Sequence, residues 1–199
     1  MKPNSFKWLV PNALTLLRIV LVVFLARAIL RQPIIWIGEV ALLFALILAT
    51  DIIDGPIARR MQTTSRFGSV LDIVADVFYV LATTTALVIR EVLPLIVLVC
   101  MVVELVVYFV TARLIARRTA APAMPSASQQ VTAAPPLPIE RIGKAVALFY
   151  FAIPPLALFA AWGIFTDWPI PALTVLCILL TTLAIANRLR LLFASLAVR

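Results

Sequence analysis

The chain has 199 residues, 64% of them hydrophobic and 13% charged. Soluble domains carry roughly 45–50% apolar residues, so this composition excludes a disordered chain and an ordinary soluble domain. The net charge of +8 accordingly points to basic residues lining a membrane face, with no nucleic acid as partner. The chain has no histidine, which removes His-based acid–base catalysis, Ser-His triads and His-ligated zinc. Cys100 and Cys177 lie in apolar runs without metal-ligand spacing and read as buried small hydrophobes.

A membrane helix needs about 20 mostly apolar residues. Six such spans are predicted: Trp8–Leu30, Ile34–Arg59, Phe67–Ile89, Leu93–Ala116, Ile142–Phe165 and Ile170–Asn187. The first is too long for a signal-peptide core, and no small-residue cleavage pattern follows it. The fold class expected is therefore all-α integral membrane, a single domain over 1–199. Between spans four and five, residues 119–138 are rich in Ala, Pro and Ser and read as a flexible cytoplasmic linker. No internal repeat is visible.

Basic residues alternate by side. Lys2 and Lys7 precede the first span; Arg59, Arg60 and Arg66 join the second to the third. Arg113, Arg117, Arg118, Arg141 and Lys144 flank the fourth connection, and Arg188, Arg190 and Arg199 close the chain. The opposite loops carry only Arg27, Arg31 and Arg90. The positive-inside rule puts both termini in the cytoplasm, as an even number of spans requires.

Ionisable groups inside a span are costly and mark function. Asp51, Asp54, Asp72 and Asp76 cluster in spans two and three. Asp51 and Asp54 are i, i+3, and Asp72 and Asp76 are i, i+4, so each pair shares a helix face. Positions 51 and 76 are symmetric about the short polar turn at Gln62–Ser65, and so are 54 and 72. In an antiparallel pair of helices the outer acids face each other, as do the inner ones. Such carboxylates need protons or cations to coexist. With oxygen ligands alone, Mg²⁺ or Mn²⁺ is the suitable ion, and two ions at one site suit displacement at phosphorus. A structural alternative pairs the acids with Arg59, Arg60 and Arg66. Gly55 and Gly68 point to close approach of a ligand or helix. Ala58 is small on the acidic face, and Arg59 is placed to meet a phosphate.

The run Asp51-x₂-Asp54-Gly55-x₂-Ala58-Arg59-x₈-Gly68-x₃-Asp72-x₃-Asp76 resembles the signature of the CDP-alcohol phosphatidyltransferases, matching at every fixed position. Pro11-Asn12-Ala-Leu14-Thr15-Leu-Leu-Arg18 resembles the family's first-helix motif, and Arg141-Ile-Gly143-Lys144 its Gly-Lys pair. The resemblance implies a six-helix enzyme, usually a homodimer, at the plasma (inner) membrane with its active site facing the cytoplasm. Its partners would be CDP-diacylglycerol and an alcohol acceptor, with CMP released. Asp51, Asp54, Asp72 and Asp76 would hold two Mg²⁺ or Mn²⁺ ions, and Asp76 would be the general base. Gly55, Ala58, Arg59 and Gly68 would line the CDP site, with Asn12, Thr15 and Arg18 as further candidates there or in its support.

For the acceptor, Arg113, Lys144, Arg188 and Arg190 are candidate phosphate ligands, against a reading as positive-inside anchors. Their number favours a phosphorylated acceptor. The chain looks most similar to the phosphatidylglycerophosphate and cardiolipin synthase branch, so glycerol 3-phosphate or phosphatidylglycerol is expected, with inositol phosphate as a further acceptor. Ala145-Val146-Ala147 stand where that branch often carries a hydroxyl residue. Glu104, alone in span four, would contact an acceptor hydroxyl or pair with an arginine or polar neighbour. Two other readings compete: a divalent-cation transporter using the acidic cluster, and a catalytically silent scaffold. Ion binding alone needs neither Arg59 nor the glycines, and a scaffold does not explain four intact acids.

Overall fold

The computed structural model describes residues 6–31, 37–60, 66–119, 138–163 and 169–197, with side chains at 13–31, 38–50, 68, 70–114, 143, 145–163 and 170–193. All regular structure among them is helical: α1 (Phe6–Leu30), α2 (Ile37–Arg60), α3 (Arg66–Ile89), α4 (Leu95–Thr119), α5 (Pro138–Ala161) and α6 (Pro169–Ala197). Among the described residues, four helices contain stretches long and apolar enough to cross a bilayer: Ala13–Leu30, Val70–Ile89, Leu95–Leu114 and Ile170–Phe193. The apolar stretches of α2 and α5, Gly38–Thr50 and Ala145–Ala161, are shorter. Large apolar side chains stand exposed on every helix, among them Val20, Leu42, Val70, Val106, Leu148 and Phe193. In water that much apolar surface would drive association; in lipid it is the contact surface.

Helix ends follow from local chemistry. α5 and α6 open on Pro138 and Pro169, where a missing N–H costs nothing. α3 closes in a Schellman motif. Val92 N–H donates to Leu87 O at 2.9 Å, and Glu91 N–H donates to Val88 O at 3.0 Å. This puts Glu91 in the left-handed region at φ 58°. α5 stops at Ala161, short of the expected Phe165, because Gly163 takes φ 73° and turns the chain. α6 runs on past the expected end at Asn187 to Ala197. Arg and Leu are strong helix formers, and 188–197 contains no Gly or Pro, so the helix continues where the apolar run ends. Of the expected linker, Thr119 closes α4 and Pro138 opens α5; 120–137 lie outside the described residues, as do 32–36 at the expected start of span two.

The chain divides into two compact units, Met1–Leu95 with Phe151–Ile170, and Ile96–Tyr150 with Pro171–Arg199. In the first, α1 lies against α2 and α3. Its buried stripe is Thr15, Arg18, Val22, Leu25 and Ile29, close to the heptad spacing of packed antiparallel or parallel helices. On α3 the buried face is Ala75, Tyr79, Thr83, Ala86 and Leu87. Tyr79 ties this unit together. Its ring meets Phe151 at 4.3 Å and Phe44 edge-on at 6.2 Å, and its hydroxyl donates to Phe151 O at 3.3 Å. Pro155 has no N–H to donate to the carbonyl four residues back, which is that of Phe151. The Tyr79 hydroxyl supplies the missing donor.

In the second unit, Tyr150 and Thr181 share a hydrogen bond of 2.5 Å, and the Thr181 hydroxyl contacts Cys177 O at 2.7 Å. Cys177 is buried and Cys100 half-buried, both as free thiols.

Candidate active site

Asp72 and Asp76 stand one turn apart on one face of α3, six and ten residues past its first residue. That is roughly 9 and 15 Å along the axis at 1.5 Å per residue. Between them on the buried side sits Ala75, wholly buried, and its small side chain lets α1 approach. From α1 comes Arg18, whose side chain is 0% exposed, against 46% for each aspartate. Its Nη1 donates to Asp72 Oδ1 at 3.0 Å and to Asp76 Oδ1 at 2.9 Å. Helical side chains lean toward the N-terminus, so an arginine twelve residues into α1 reaches back to acids six and ten residues into α3.

The structural alternative paired the acids with Arg59, Arg60 and Arg66; their side chains lie outside the described residues. The arginine that the structure brings to Asp72 and Asp76 is Arg18, which the sequence reading had placed at the CDP site or in its support. The signal was available: Arg18 is the one cation deep in an apolar span, and such a charge demands an anion. Thr15, one turn before Arg18, is buried on the same stripe. Gly68 is half-buried in the first turn of α3. Asp51, Asp54, Gly55, Ala58 and Arg59 belong to the last turns of α2, and Asn12 to α1, but their side chains lie outside the described residues.

Among the described residues no group of three or more His, Cys, Asp and Glu side chains comes together as a metal site; the acids of α2 are not among them. The part that is described fits a hard divalent ion. Two carboxylates converge on a single guanidinium nitrogen, so these groups together keep an excess of negative charge, and all their donors are oxygens.

The acceptor candidates fall in the second unit. Arg113 and Arg190 are exposed, and the side chain of Lys144 lies outside the described residues. Arg188 is engaged: its Nη2 donates to Glu104 Oε1 at 3.0 Å, both side chains being 11% exposed. Its guanidinium carbon also stands 4.5 Å from the centre of the Tyr108 ring. Of the two readings of Glu104, the structure bears out pairing with an arginine. Tyr108 was not singled out from sequence, where an aromatic in an apolar span carries no distinguishing signal.

Helices with lipid-length apolar stretches, and an arginine on one of them bound to paired carboxylates on another, define a membrane protein with a polar site within its helices. A family model, CDP-alcohol phosphatidyltransferase, matches residues 8–179, which include all but the first two residues of α1, the whole of α2 to α5, both α3 acids and Arg18. The chain belongs to the CDP-alcohol phosphatidyltransferase family. Proteins named CDP-diacylglycerol–glycerol-3-phosphate 3-phosphatidyltransferase are among its relatives. Those of Yersinia enterocolitica and Yersinia pestis are 46% identical over 68 residues, and that of Salmonella choleraesuis is 43% identical over 68 residues. In each case the aligned stretch takes in 34% of this chain and 37% of the relative.

Proposed function

We propose that this chain transfers the phosphatidyl group of CDP-diacylglycerol to an alcohol, releasing CMP, as a step of phospholipid biosynthesis. The observation that carries the reading is the pair Asp72 and Asp76, drawn to the Arg18 guanidinium at 3.0 and 2.9 Å inside a stretch that matches the family. Glycerol 3-phosphate is the acceptor favoured, because the relatives' names specify it; phosphatidylglycerol and inositol phosphate are the others to test.

In this mechanism Asp76 accepts the proton of the acceptor hydroxyl. The hydroxyl oxygen then bonds to the phosphorus that carries the diacylglycerol, and the bond from that phosphorus to the CMP oxygen breaks. Arg18 holds both α3 carboxylates so that the accepting oxygen is fixed in place before substrate arrives. Asp51, Asp54, Asp72 and Asp76 would hold two divalent ions, Mg²⁺ or Mn²⁺, which when bound neutralise the diphosphate and make CMP a better leaving group. Gly55, Ala58, Arg59 and Gly68 would line the CDP site, with Asn12 and Thr15 beside it. Arg113, Lys144, Arg188 and Arg190 would serve the acceptor phosphate. The reading includes six crossings of the plasma membrane, both termini and the active site at the cytoplasmic face, and a homodimer.

The test is CMP release by purified protein from CDP-diacylglycerol with Mg²⁺ or Mn²⁺, run in parallel with the three acceptors. Release is expected with glycerol 3-phosphate. Chelation should abolish it, and Asp76→Asn should lower it by at least 10²-fold, the lower bound for a lost general base. Silence with all three acceptors would overturn the reading.

A further inference from the structure

Three helices of the second unit converge on one guanidinium. α6 supplies Arg188, α4 supplies Glu104 and Tyr108, and α5 supplies Gly143. Glu104 Oε1 accepts from Arg188 Nη2 at 3.0 Å, and the Tyr108 ring lies 4.5 Å from the guanidinium carbon. A Cβ built on Gly143 would stand 3.4 Å from the same Nη2. The glycine therefore brings helix backbone to contact distance, and a side chain longer than alanine would have to displace the guanidinium.

Arginine on a flexible stem loses rotamer freedom when it binds. Here that freedom is removed in advance. A carboxylate fixes one end of the planar fork, and a ring lies against the guanidinium. Both members of the ion pair are nearly buried, yet the carboxylate takes only one of the five N–H donors that a guanidinium carries. A purely structural pair deep in an apolar bundle is no better than a well-packed apolar replacement, so the ion pair needs another reason to be there.

We propose that Glu104 is a positioning residue, which holds Arg188 in the seat formed by Tyr108 and Gly143 so that its remaining N–H donors bind a phosphate monoester. On the reading given under Proposed function, on which this second role rests, that monoester is the phosphate of the acceptor. Glu104 acts through Arg188 and touches no substrate.

The test has two arms. In the first, inorganic phosphate is titrated against the thermal midpoint of the full-length protein in detergent, with no nucleotide lipid present. Phosphate should raise the midpoint of the wild type and leave Glu104→Gln and Arg188→Gln unmoved. A wild type that phosphate does not stabilise, or a Glu104→Gln variant stabilised as well as wild type, overturns the proposal whatever the enzyme's activity. In the second arm, the KM for glycerol 3-phosphate should rise about tenfold in Glu104→Gln, the scale of one lost charge-assisted hydrogen bond. The KM for CDP-diacylglycerol should stay within about twofold, since that substrate is not held by this seat. The double variant Glu104→Arg with Arg188→Glu keeps the ion pair, and with it the fold, should Glu104→Gln fail to fold. It should recover the thermal midpoint without the acceptor KM. Recovery of both would show the pair to be only a tie between α4 and α6. Wild type that binds phosphate but releases no CMP would break the proposed reaction and leave the phosphate seat standing.

Discussion

Arg18 resolves two electrostatic problems at once. A guanidinium alone inside a bilayer-spanning helix costs several kcal/mol, and two carboxylates at i, i+4 repel each other. Each would be unfavourable without the other. The geometry, one Nη1 between two Oδ1 atoms at 3.0 and 2.9 Å, balances charge and also sets the spacing of the acids. These two roles separate in Arg18→Met, which fills the buried volume without the charge. Its CMP release should fall at least tenfold, because the carboxylates lose their fixed orientation. Its affinity for Mn²⁺, measured by titration, should stay equal or tighten, because a cation beside the ligands has been removed. A weaker Mn²⁺ affinity would show that Arg18 shapes the ligand set more than it balances its charge. The shared face of Asp72 and Asp76 was legible in their spacing. Their partner was not, since Arg18 lies 54 and 58 residues away in sequence. Local spacing offered only the nearest basic residues along the chain, Arg59, Arg60 and Arg66, as the structural alternative to metal ligation.

At the scale of the helix, α3 must hold its two acids at fixed depth and rotation. Tyr79, three residues past Asp76, does this from the next turn. Its ring is buried between Phe44 and Phe151, and its hydroxyl satisfies the Phe151 carbonyl, the acceptor that Pro155 leaves without its helical donor. Within hydrocarbon there is no water to take that place. Tyr79→Phe keeps the ring packing and removes only the donor. It should cost about 1–2 kcal/mol of stability, the scale of one buried unsatisfied carbonyl, read as a lower thermal midpoint in detergent. Adding Pro155→Ala should recover most of that loss, because it restores the N–H of residue 155. No recovery would mean that the hydroxyl matters for something other than the carbonyl. The prolines of α5 were visible in the sequence, but nothing in it showed which side chain answers them. Helix ends were legible only in part. Gly163, a residue suited to a left-handed cap, ends α5 before the expected Phe165, whereas Glu91 performs the same turn at φ 58° with a residue that carries no such signal. The end of α6 was misplaced because apolar length measures the lipid crossing and helix propensity measures the helix.

For the whole molecule, the two short apolar stretches bear on the count of crossings. Gly38–Thr50 and Ala145–Ala161 would extend about 20 and 26 Å, less than the roughly 30 Å hydrocarbon core. Yet α2 and α5 each have 24 residues, about 36 Å, enough to cross. The shortfall in α2 has a chemical source: its last ten residues include Asp51, Asp54, Arg59 and Arg60, so that end is not built to face lipid tails. α5 likewise opens on Glu140, Arg141 and Lys144. On this argument a helix that serves a polar site can cross the membrane with a short apolar run, which supports the six crossings proposed above. Charge supports the same count. The basic residues concentrate at the two termini and at the α2–α3 and α4–α5 connections, leaving Arg27, Arg31 and Arg90 on the other side. If only the four long stretches crossed, the α2–α3 and α4–α5 connections with their arginines would fall on the same side as Arg31, opposite both termini, and the charge asymmetry would be lost. Reporter fusions decide between the two. A cytoplasm-dependent fluorescent reporter joined after Arg199 should be bright. A phosphatase that works only outside the cytoplasm should be active after Arg31 and after Arg90, and inactive within 120–137. Loss of phosphatase activity after Arg90 with its appearance within 120–137 would remove α2 from the crossings and, with it, the cytoplasmic placement of the acids, whereas a dark reporter after Arg199 with 120–137 inactive would remove α5.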